Sequence, residues 1–212
     1  MYSSSSIPPL RLGNVQALRR QVLVLFMSVL AVALLFVCSI WSHTHPLIYA
    51  TIEHIGILLI FVCIFGRSWC ALFIGGNKKA TLIETGPYSL VRNPLYVFTL
   101  VGAAGVGAQT SSIVVIAFCV ATTTVVFVIV IRREEQFLLD RFGAPYEAYL
   151  KRVPRFIPSF KAYQSEQQLT INLRLVRRTF IEACYFLVAI PAIDAIELAR
   201  EYGWLPELIH LP

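Results

Sequence analysis

The sequence IVVIAFCVATTTVVFVIVI, from Ile113 to Ile131, contains no charged residue and only three polar ones, Thr122 to Thr124. Its many valines and isoleucines would favour a β-strand in water. In a bilayer, however, every backbone amide and carbonyl must be satisfied within the segment, and a helix achieves this. The run is about as long as a transmembrane helix needs to be. It therefore predicts a helical membrane protein.

The composition supports this interpretation. Of the 212 residues, 57% are hydrophobic and 14% are charged, against ~45–50% and ~25% in soluble domains. This excess of apolar residues also excludes a disordered chain. The net charge of +6 comes from Lys and Arg at the ends of apolar runs, which indicates membrane orientation rather than nucleic-acid binding. The five cysteines form no Cys-x-x-Cys pair, so we expect buried thiols and no metal site.

Four further apolar runs bring the expected number of membrane helices to about five. These runs are Val22–Trp41, Ile52–Ile74, Leu95–Ala108 and Phe180–Ile196. The fold class is therefore expected to be an all-α polytopic membrane bundle. Residues 1–20 are predicted to be a cytoplasmic segment and residues 21–161 the membrane core. Residues 162–212 should contain an interfacial helix over 162–178, followed by the last membrane helix and a tail.

The distribution of basic residues predicts the orientation. If the N-terminus is cytoplasmic, the segments 1–20, 75–94 and 132–178 face the cytoplasm. They contain every Lys and Arg except Arg67 and Arg200. Cytoplasmic loops carry such an excess of positive charge, so we expect the N-terminus inside. The last two of these segments flank the 95–131 hairpin and should meet in space.

These two segments contain an ordered set of residues that resembles the membrane methyltransferases related to isoprenylcysteine carboxyl methyltransferase and phospholipid N-methyltransferase. The family pattern is G-x-Y-x-x-x-R-H-P-x-Y, a helical hairpin, E-E-x-x-L, F-G-x-x-Y-x-x-Y and I-P. The resemblance covers about residues 52–160. The matching residues are Gly86, Tyr88, Arg92, Pro94, Tyr96, Glu134, Glu135, Leu138, Phe142, Gly143, Tyr146, Tyr149, Ile157 and Pro158.

The resemblance implies methyl transfer from S-adenosyl-L-methionine, bound at the cytoplasmic face, to a lipophilic or lipidated acceptor that arrives from the bilayer. Arg92 can form a forked contact with the cofactor's carboxylate. Asn93-Pro94 is typical of a helix N-cap followed by proline at the first helical position. The expected cofactor-binding residues are Gly86, Tyr88, Arg92, Asn93, Pro94, Tyr96, Glu134, Glu135, Tyr146 and Tyr149.

Adjacent glutamates point about 100° apart on a helix, so at most one of Glu134 and Glu135 should face the pocket. The other is expected to pair with a surface arginine such as Arg132 or Arg141. Arg67 is a charge within an apolar run, and such charges usually face a cavity or a partner. It could reach the membrane surface or point toward an anionic acceptor.

The acceptor decides which catalytic groups are needed. A carboxylate acceptor needs a positive partner, for which Arg155 or Arg67 is the candidate. An ammonium acceptor needs a base such as Glu134 or Glu135, and a thiol needs a stabilised thiolate. We expect carboxyl O-methylation of an isoprenylcysteine-type substrate first, with Arg155, Glu135 and Arg67 as catalytic residues. Phospholipid N-methylation and thiol S-methylation are the alternatives, and the oligomeric state stays open.

Two residues depart from the family pattern. Asn93 stands where the family usually has His, and Phe98 stands where a Gly often follows the tyrosine. The first could alter cofactor contacts, and the second could alter helix packing. A membrane scaffold, or a family member that has lost its activity, is therefore the non-enzyme alternative.

Overall fold

The protein is described here by a computed structural model that covers residues 37–74, 81–160, 163–166, 168–206 and 209–211. As the sequence predicts, the described chain is helical, apart from a pair of three-residue strands. The elements in chain order are β1 (Val37–Ser39), α1 (Trp41–Thr44), α2 (Pro46–Ile74), α3 (Pro87–Leu90), α4 (Pro94–Ala108), α5 (Ile113–Phe142), α6 (Ala144–Arg152), α7 (Leu173–Cys184), a 3₁₀ turn (Tyr185–Val188), α8 (Ala189–Glu201) and β2 (Ile209–Leu211).

Three helical segments of the described chain are long and apolar enough to cross a membrane. They are α2, α5 and the continuous segment Leu173–Glu201, which comprises α7, the 3₁₀ turn and α8. The helix α4 is also apolar but has only 15 residues, or about 22 Å. It is therefore shorter than the ~30 Å hydrocarbon core.

The fifth expected helix, Val22–Trp41, lies outside the described residues except at its end. There the expectation of a continuous helix is wrong, because Val37–Ser39 form β1. This strand pairs in parallel with β2 near the C-terminus, with Val37 opposite Ile209. The amide of Ile40 then donates to the carbonyl of Leu211 at 3.0 Å. Backbone pairing with a distant segment thus overrides the local apolar pattern.

The glycines of α4 allow close contact with α2. A Cβ atom added at Gly105 would lie 2.8 Å from the carbonyl oxygen of Gly56 and 2.9 Å from the side chain of Ile60. Small residues at a helix interface let two backbones approach in this way. The glycine-rich run thus packs within the chain, where Ile60, Ile64 and Val106 form a common apolar cluster.

The helix α7 packs across the same cluster through Ala183, which is fully buried. It begins at Leu173, and the side chain of Asn172 accepts a hydrogen bond from the amide of Leu175 at 3.2 Å. The structure therefore has no separate helix over the described part of 162–172. The basic residues Arg174, Arg177 and Arg178 belong instead to the first turns of α7, at the start of the long apolar segment that continues into α8.

The bundle has two polar ends. At the first, which we call the turn end, Ser39 Oγ donates to the carbonyl of Ser111 and Ser111 Oγ donates to the carbonyl of Tyr49, each at 3.0 Å. The other end, which we call the site end, contains residues 81–94 and 132–160. The long helices α2 and α5 separate these two ends, so the motif residues of both polar segments meet at the site end.

Candidate functional site

The centre of the site is the carboxylate of Glu135, which lies near the C-terminal end of α5 and is only 8% exposed. Arg155 donates from Nη2 to Oε2 at 2.6 Å and from Nε to Oε1 at 3.2 Å. Arg92 donates from Nη1 to Oε1 at 3.2 Å. Asn93 Nδ2 lies 3.4 Å from the same oxygen. We call these four residues the Glu135 cluster.

Backbone hydrogen bonds bring the two arginines together from different parts of the sequence. The amide of Arg92 donates to the carbonyl of Pro154 at 2.9 Å, and the amide of Ser159 donates to the carbonyl of Leu90 at 2.9 Å. The segment after α6 therefore runs beside the segment before α4. As a result, Arg92 and Arg155 reach the same carboxylate.

Gly86 has a backbone role that explains its residue type. Its φ angle is +61°, a conformation that glycine adopts without strain. An added Cβ would lie 2.3 Å from the ring of Phe73. Its amide donates to the carbonyl of Gln164 at 2.6 Å, and the amide of Gln164 donates to Ser89 Oγ at 3.0 Å. No motif in the sequence indicates this contribution of Gln164 and Ser89.

The predicted tyrosines divide into different environments. Tyr149 donates from its hydroxyl to the carbonyl of Tyr88 at 2.8 Å, and its ring centre lies 5.8 Å from that of Tyr146. Tyr96 packs edge-on against Phe127, with ring centres 4.7 Å apart. Tyr96 and Tyr149 thus help to hold the elements of the site together.

The hydroxyl of Tyr88 is different, because it is buried and has no hydrogen-bond partner within the described part of the chain. Burial raises the pKa of Tyr88 well above its ordinary value, and the nearby thiol of Cys70, the hydroxyl of Tyr149 and the carboxylate of Glu134 add to this effect. Burial likewise raises the pKa values of Tyr146 and Tyr149. All three phenols are therefore neutral donors at physiological pH.

The residues of the site fit a ligand with several hydrogen-bond acceptors. Besides the Tyr88 hydroxyl, Nε of Arg92 is buried and unpartnered among the described residues. Buried polar groups are rarely left unsatisfied. In addition, two guanidinium groups share the single carboxylate of Glu135, so the cluster carries an excess positive charge. The carboxylate and ribose hydroxyls of S-adenosylmethionine match these two properties.

Asn93 occupies the N-cap position of α4 and Pro94 its first helical position, as the sequence predicts. The Asn93 side chain makes no capping hydrogen bond to the helix. Its amide group is directed toward Glu135 instead. The buried carboxylate competes for the amide with the local backbone, which is a tertiary effect that a local motif does not reveal.

Only one glutamate of the pair is buried, as predicted from the 100° spacing. Glu134 is half-buried and forms no ion pair among the described residues, so its expected pairing with Arg132 or Arg141 is wrong. Arg141 lies over the ring of Phe142, with its guanidinium carbon 5.7 Å from the ring centre. The carboxylate of Glu134 instead lies close enough to affect the pKa values of Tyr88 and Tyr146.

Arg67 lies within α2 and is not brought into the Glu135 cluster. It donates from Nη1 to the hydroxyl of Thr99 on α4, and its Nη2 lies 4.0 Å from the carboxylate of Glu182 on α7. Glu182 also accepts from Arg178, four residues earlier. This i,i+4 spacing is the signal in the sequence that could have assigned Glu182 to a polar network.

In the described part of the chain, no group of three or more His, Cys, Asp or Glu side chains is placed to hold a metal ion. The curated relatives are nevertheless named for metals. The nickel-cobalt-cadmium resistance protein NccN of Alcaligenes xylosoxydans xylosoxydans is 36% identical over 185 residues, which cover 87% of this chain and 85% of the relative. The cobalt-zinc-cadmium resistance protein CzcN of Cupriavidus metallidurans is 35% identical over 181 residues, covering 84% and 82%.

No solved structure shows significant similarity to the chain. The sequence model of the phospholipid methyltransferase family matches residues 23–145, more than half of the chain. This match includes the G-x-Y segment, the helical hairpin and both glutamates, and it confirms the resemblance found in the motifs. Together with the three long apolar helices among the described residues, the match shows that the chain is a membrane protein of the phospholipid methyltransferase family.

Proposed function

We propose that the protein transfers a methyl group from S-adenosylmethionine to a lipophilic acceptor, at the Glu135 cluster. One observation carries this proposal: the cluster has excess positive charge and lies beside two buried donors, Arg92 Nε and Tyr88 Oη, that have no partner among the described residues. The family match supplies the reaction class.

Each residue has a defined task in this proposal. Arg92 binds the cofactor's carboxylate through the edge that Glu135 does not occupy, and Tyr88 donates to a ribose hydroxyl. Glu134 accepts from the cofactor's ammonium group. Glu135 holds Arg92 and Arg155 in place. The bound cofactor supplies a methyl group on a sulfonium, and the protein contributes alignment of the acceptor and exclusion of water.

For the acceptor we propose a carboxylate first, as in isoprenylcysteine-type lipids. The side chain of Arg155 is 39% exposed, and its bonds to Glu135 use Nε and Nη2. Its Nη1 edge is thus available to orient an anionic acceptor. A carboxylate is already nucleophilic, so no proton acceptor is needed for this reaction.

A phospholipid amine is the second candidate, and Glu134 is the observation that favours it. An ammonium acceptor must lose a proton before it can accept a methyl group. Glu135 is committed to two arginines, whereas Glu134 is half-buried and forms no ion pair within the described residues. Glu134 would be the proton acceptor in this case.

The first experiment measures binding of S-adenosylhomocysteine to the detergent-purified protein by calorimetry, and compares Arg92→Ala with Arg132→Ala as the control. Arg132 is exposed on α5 near the site. We expect Arg92→Ala to lose binding and Arg132→Ala to retain it, with thermal melting confirming that both variants fold. A folded wild-type protein that does not bind the ligand would refute the proposal and favour a scaffold.

The acceptor is then tested with a farnesylcysteine analogue and with phosphatidylethanolamine vesicles, each supplied with radiolabelled cofactor. Methylation of the first that Arg155→Ala abolishes, with cofactor binding unchanged, supports the carboxylate. Methylation of the second that Glu134→Gln abolishes, with cofactor binding retained, supports the amine. Label in neither acceptor, from a protein that binds the cofactor, would reject both acceptor classes.

The names of the two relatives suggest a physiological setting. We infer that methylation of a membrane component contributes to tolerance of nickel, cobalt, zinc or cadmium ions. In a metal-sensitive bacterial host, expression of the wild-type chain should raise the tolerated concentration of at least one of these ions. If the Arg92→Ala variant raised metal tolerance as much as the wild-type chain does, the tolerance would not depend on methyl transfer.

A further inference from the structure

The first two turns of α7 carry an exposed basic surface. Arg174, Arg177 and Arg178 are all exposed, and the Arg178 side chain is 71% exposed. Arg178 donates to Glu182 at 2.8 Å, and Arg67 of α2 approaches the same carboxylate at 4.0 Å. Arg174 and Arg177 form no ion pair in the described ranges. Arg67 and Arg178 thus share the single carboxylate of Glu182. Arg174 and Arg177 add two further positive charges, so an excess positive charge remains.

The lengths of the helices place this surface at the level of lipid headgroups. The segment Leu173–Glu201 has 29 residues, or about 43 Å, against ~30 Å of hydrocarbon. If its apolar part, Phe180–Ile196, lies in the hydrocarbon, the turn with Arg174, Arg177 and Arg178 extends beyond it. Arg67 lies about 10 Å from the end of α2, from where a long side chain can reach the interface.

Exposed apolar side chains lie next to the arginines. Leu173 is 77% exposed, Phe180 44% and Ile181 48%. Apolar surface beside excess positive charge matches an amphiphile with an anionic headgroup, since headgroup and acyl chain are then both complemented. A soluble anion would leave the apolar surface uncovered.

We propose that this surface, formed by Arg67, Arg174, Arg177 and Arg178 around Glu182, is a binding site for an anionic phospholipid. The lipid's phosphate lies among the guanidinium groups, and its acyl chains cover the apolar side of α7. The site is separate from the Glu135 cluster. It requires only that the chain is embedded in a membrane and does not depend on methyl transfer.

The experiment measures lipid binding to the full chain in neutral detergent by native mass spectrometry, with phosphatidylglycerol and phosphatidylcholine as probes. We expect phosphatidylglycerol to bind at least about tenfold more tightly. The double variant Arg174→Gln/Arg177→Gln should lose on the order of 30-fold in affinity, since each cation near an anionic lipid surface contributes about 1 kcal/mol. The matched control is Arg132→Gln/Arg133→Gln, which removes two exposed arginines of α5 at the same end.

For a second variant, Glu182→Gln, the proposal predicts a higher affinity for phosphatidylglycerol, the opposite of the change expected for the double variant. Glu182→Gln removes the carboxylate that neutralises Arg67 and Arg178, so phosphatidylglycerol should bind more tightly than to the wild type. A merely structural role of Glu182 predicts weaker binding instead. The proposal is overturned if both double variants lose affinity equally, if the two lipids bind equally, or if soluble glycerol phosphate displaces phosphatidylglycerol at equal concentration.

Discussion

At the scale of single residues, Glu135 is the group on which the site depends. Its carboxylate is buried and bound by two arginines and one amide. Removing one member of a buried charge pair leaves an uncompensated charge, which is costly. Glu135→Gln should therefore lower the free energy of unfolding by about 3 kcal/mol. Thermal or chemical unfolding in detergent measures this change.

Glu134→Gln is the matched control for this prediction. Glu134 is the neighbouring residue, it is only half-buried, and it forms no ion pair with any described residue. Its replacement should change stability by less than about 1 kcal/mol. Equal losses in the two variants would show that the buried ion pairs do not stabilise the site.

Tyr88 and Tyr149 should contribute differently to the stability of the protein. The Tyr149 hydroxyl donates to the carbonyl of Tyr88, so Tyr149→Phe should lose about 1 kcal/mol of stability. Tyr88→Phe should not lower the stability and should raise it by about 1 kcal/mol, because it removes a buried hydroxyl that has no partner in the described structure. Cofactor affinity should fall in Tyr88→Phe, since that hydroxyl is reserved for a ligand in the proposed function.

The raised pKa of Tyr88 gives the direction of the pH effect. The folded state retains the phenol proton at a pH where the unfolded chain, with a pKa of about 10, releases it. This contribution to stability is complete below about pH 10 and is lost as the pH rises further. Unfolding measured between about pH 8 and about pH 11 should show a smaller loss for Tyr88→Phe than for the wild type. Parallel curves would contradict this assignment.

At the scale of helices, Phe98 shows how a departure from the family pattern is accommodated. A Cβ atom added at Gly66 of α2 would lie 2.1 to 2.4 Å from the ring of Phe98 on α4. The ring thus occupies the space that Gly66 leaves. Gly66→Ala should cost about 1–3 kcal/mol through overpacking.

The double variant Gly66→Ala/Phe98→Leu tests this complementarity, because the smaller side chain gives the new methyl group room. We expect it to recover most of the stability lost in Gly66→Ala. In a double-mutant cycle, the coupling energy should be about 1 kcal/mol or more. Additive effects of the two substitutions would show that the two side chains do not compete for the same space.

Helices could be predicted from the sequence where a long apolar run is sufficient to specify a membrane helix. The glycine-rich run 95–108 lies in a helix with nearly the predicted bounds. The uncharged run 113–131 begins α5 as predicted, but this helix continues beyond the run to Phe142. The strand at Val37–Ser39 could not be predicted, because it depends on pairing with residues 209–211.

In the candidate site, the motif spacing predicted which residues meet but not their contacts. Arg155 was expected to face the acceptor, and it binds Glu135 through two nitrogens. Arg67 was expected near the acceptor or the surface, and it contacts Thr99 and Glu182. Such pairings depend on helix rotation and on the competition of charges for one carboxylate, which a linear pattern does not contain.

At the scale of the whole molecule, the two polar ends differ in charge. The site end contains Arg92, Arg132, Arg133, Arg141, Lys151, Arg152 and Arg155, whereas the described part of the turn end contains Arg200 near the end of α8. The positive-inside rule assigns the more basic end to the cytoplasm. The Glu135 cluster should then open toward the cytoplasm, the side from which the proposed function requires the cofactor to bind.

This orientation can be measured in intact cells with a membrane-impermeant maleimide. Lys151→Cys introduces a thiol on the exposed surface of α6 at the site end, and Trp204→Cys introduces one beyond α8, at a position that is 78% exposed. We expect Trp204→Cys to react in intact cells and Lys151→Cys to react only after permeabilisation, each above the background of the parent chain. Cys63, Cys70 and Cys119 are buried and Cys184 is half-buried, so the labelling of the parent chain is measured alongside and subtracted. The reverse labelling would place the site outside the cytoplasm, and it would leave the cytoplasmic end with few cations, contrary to the charge rule on which the orientation rests.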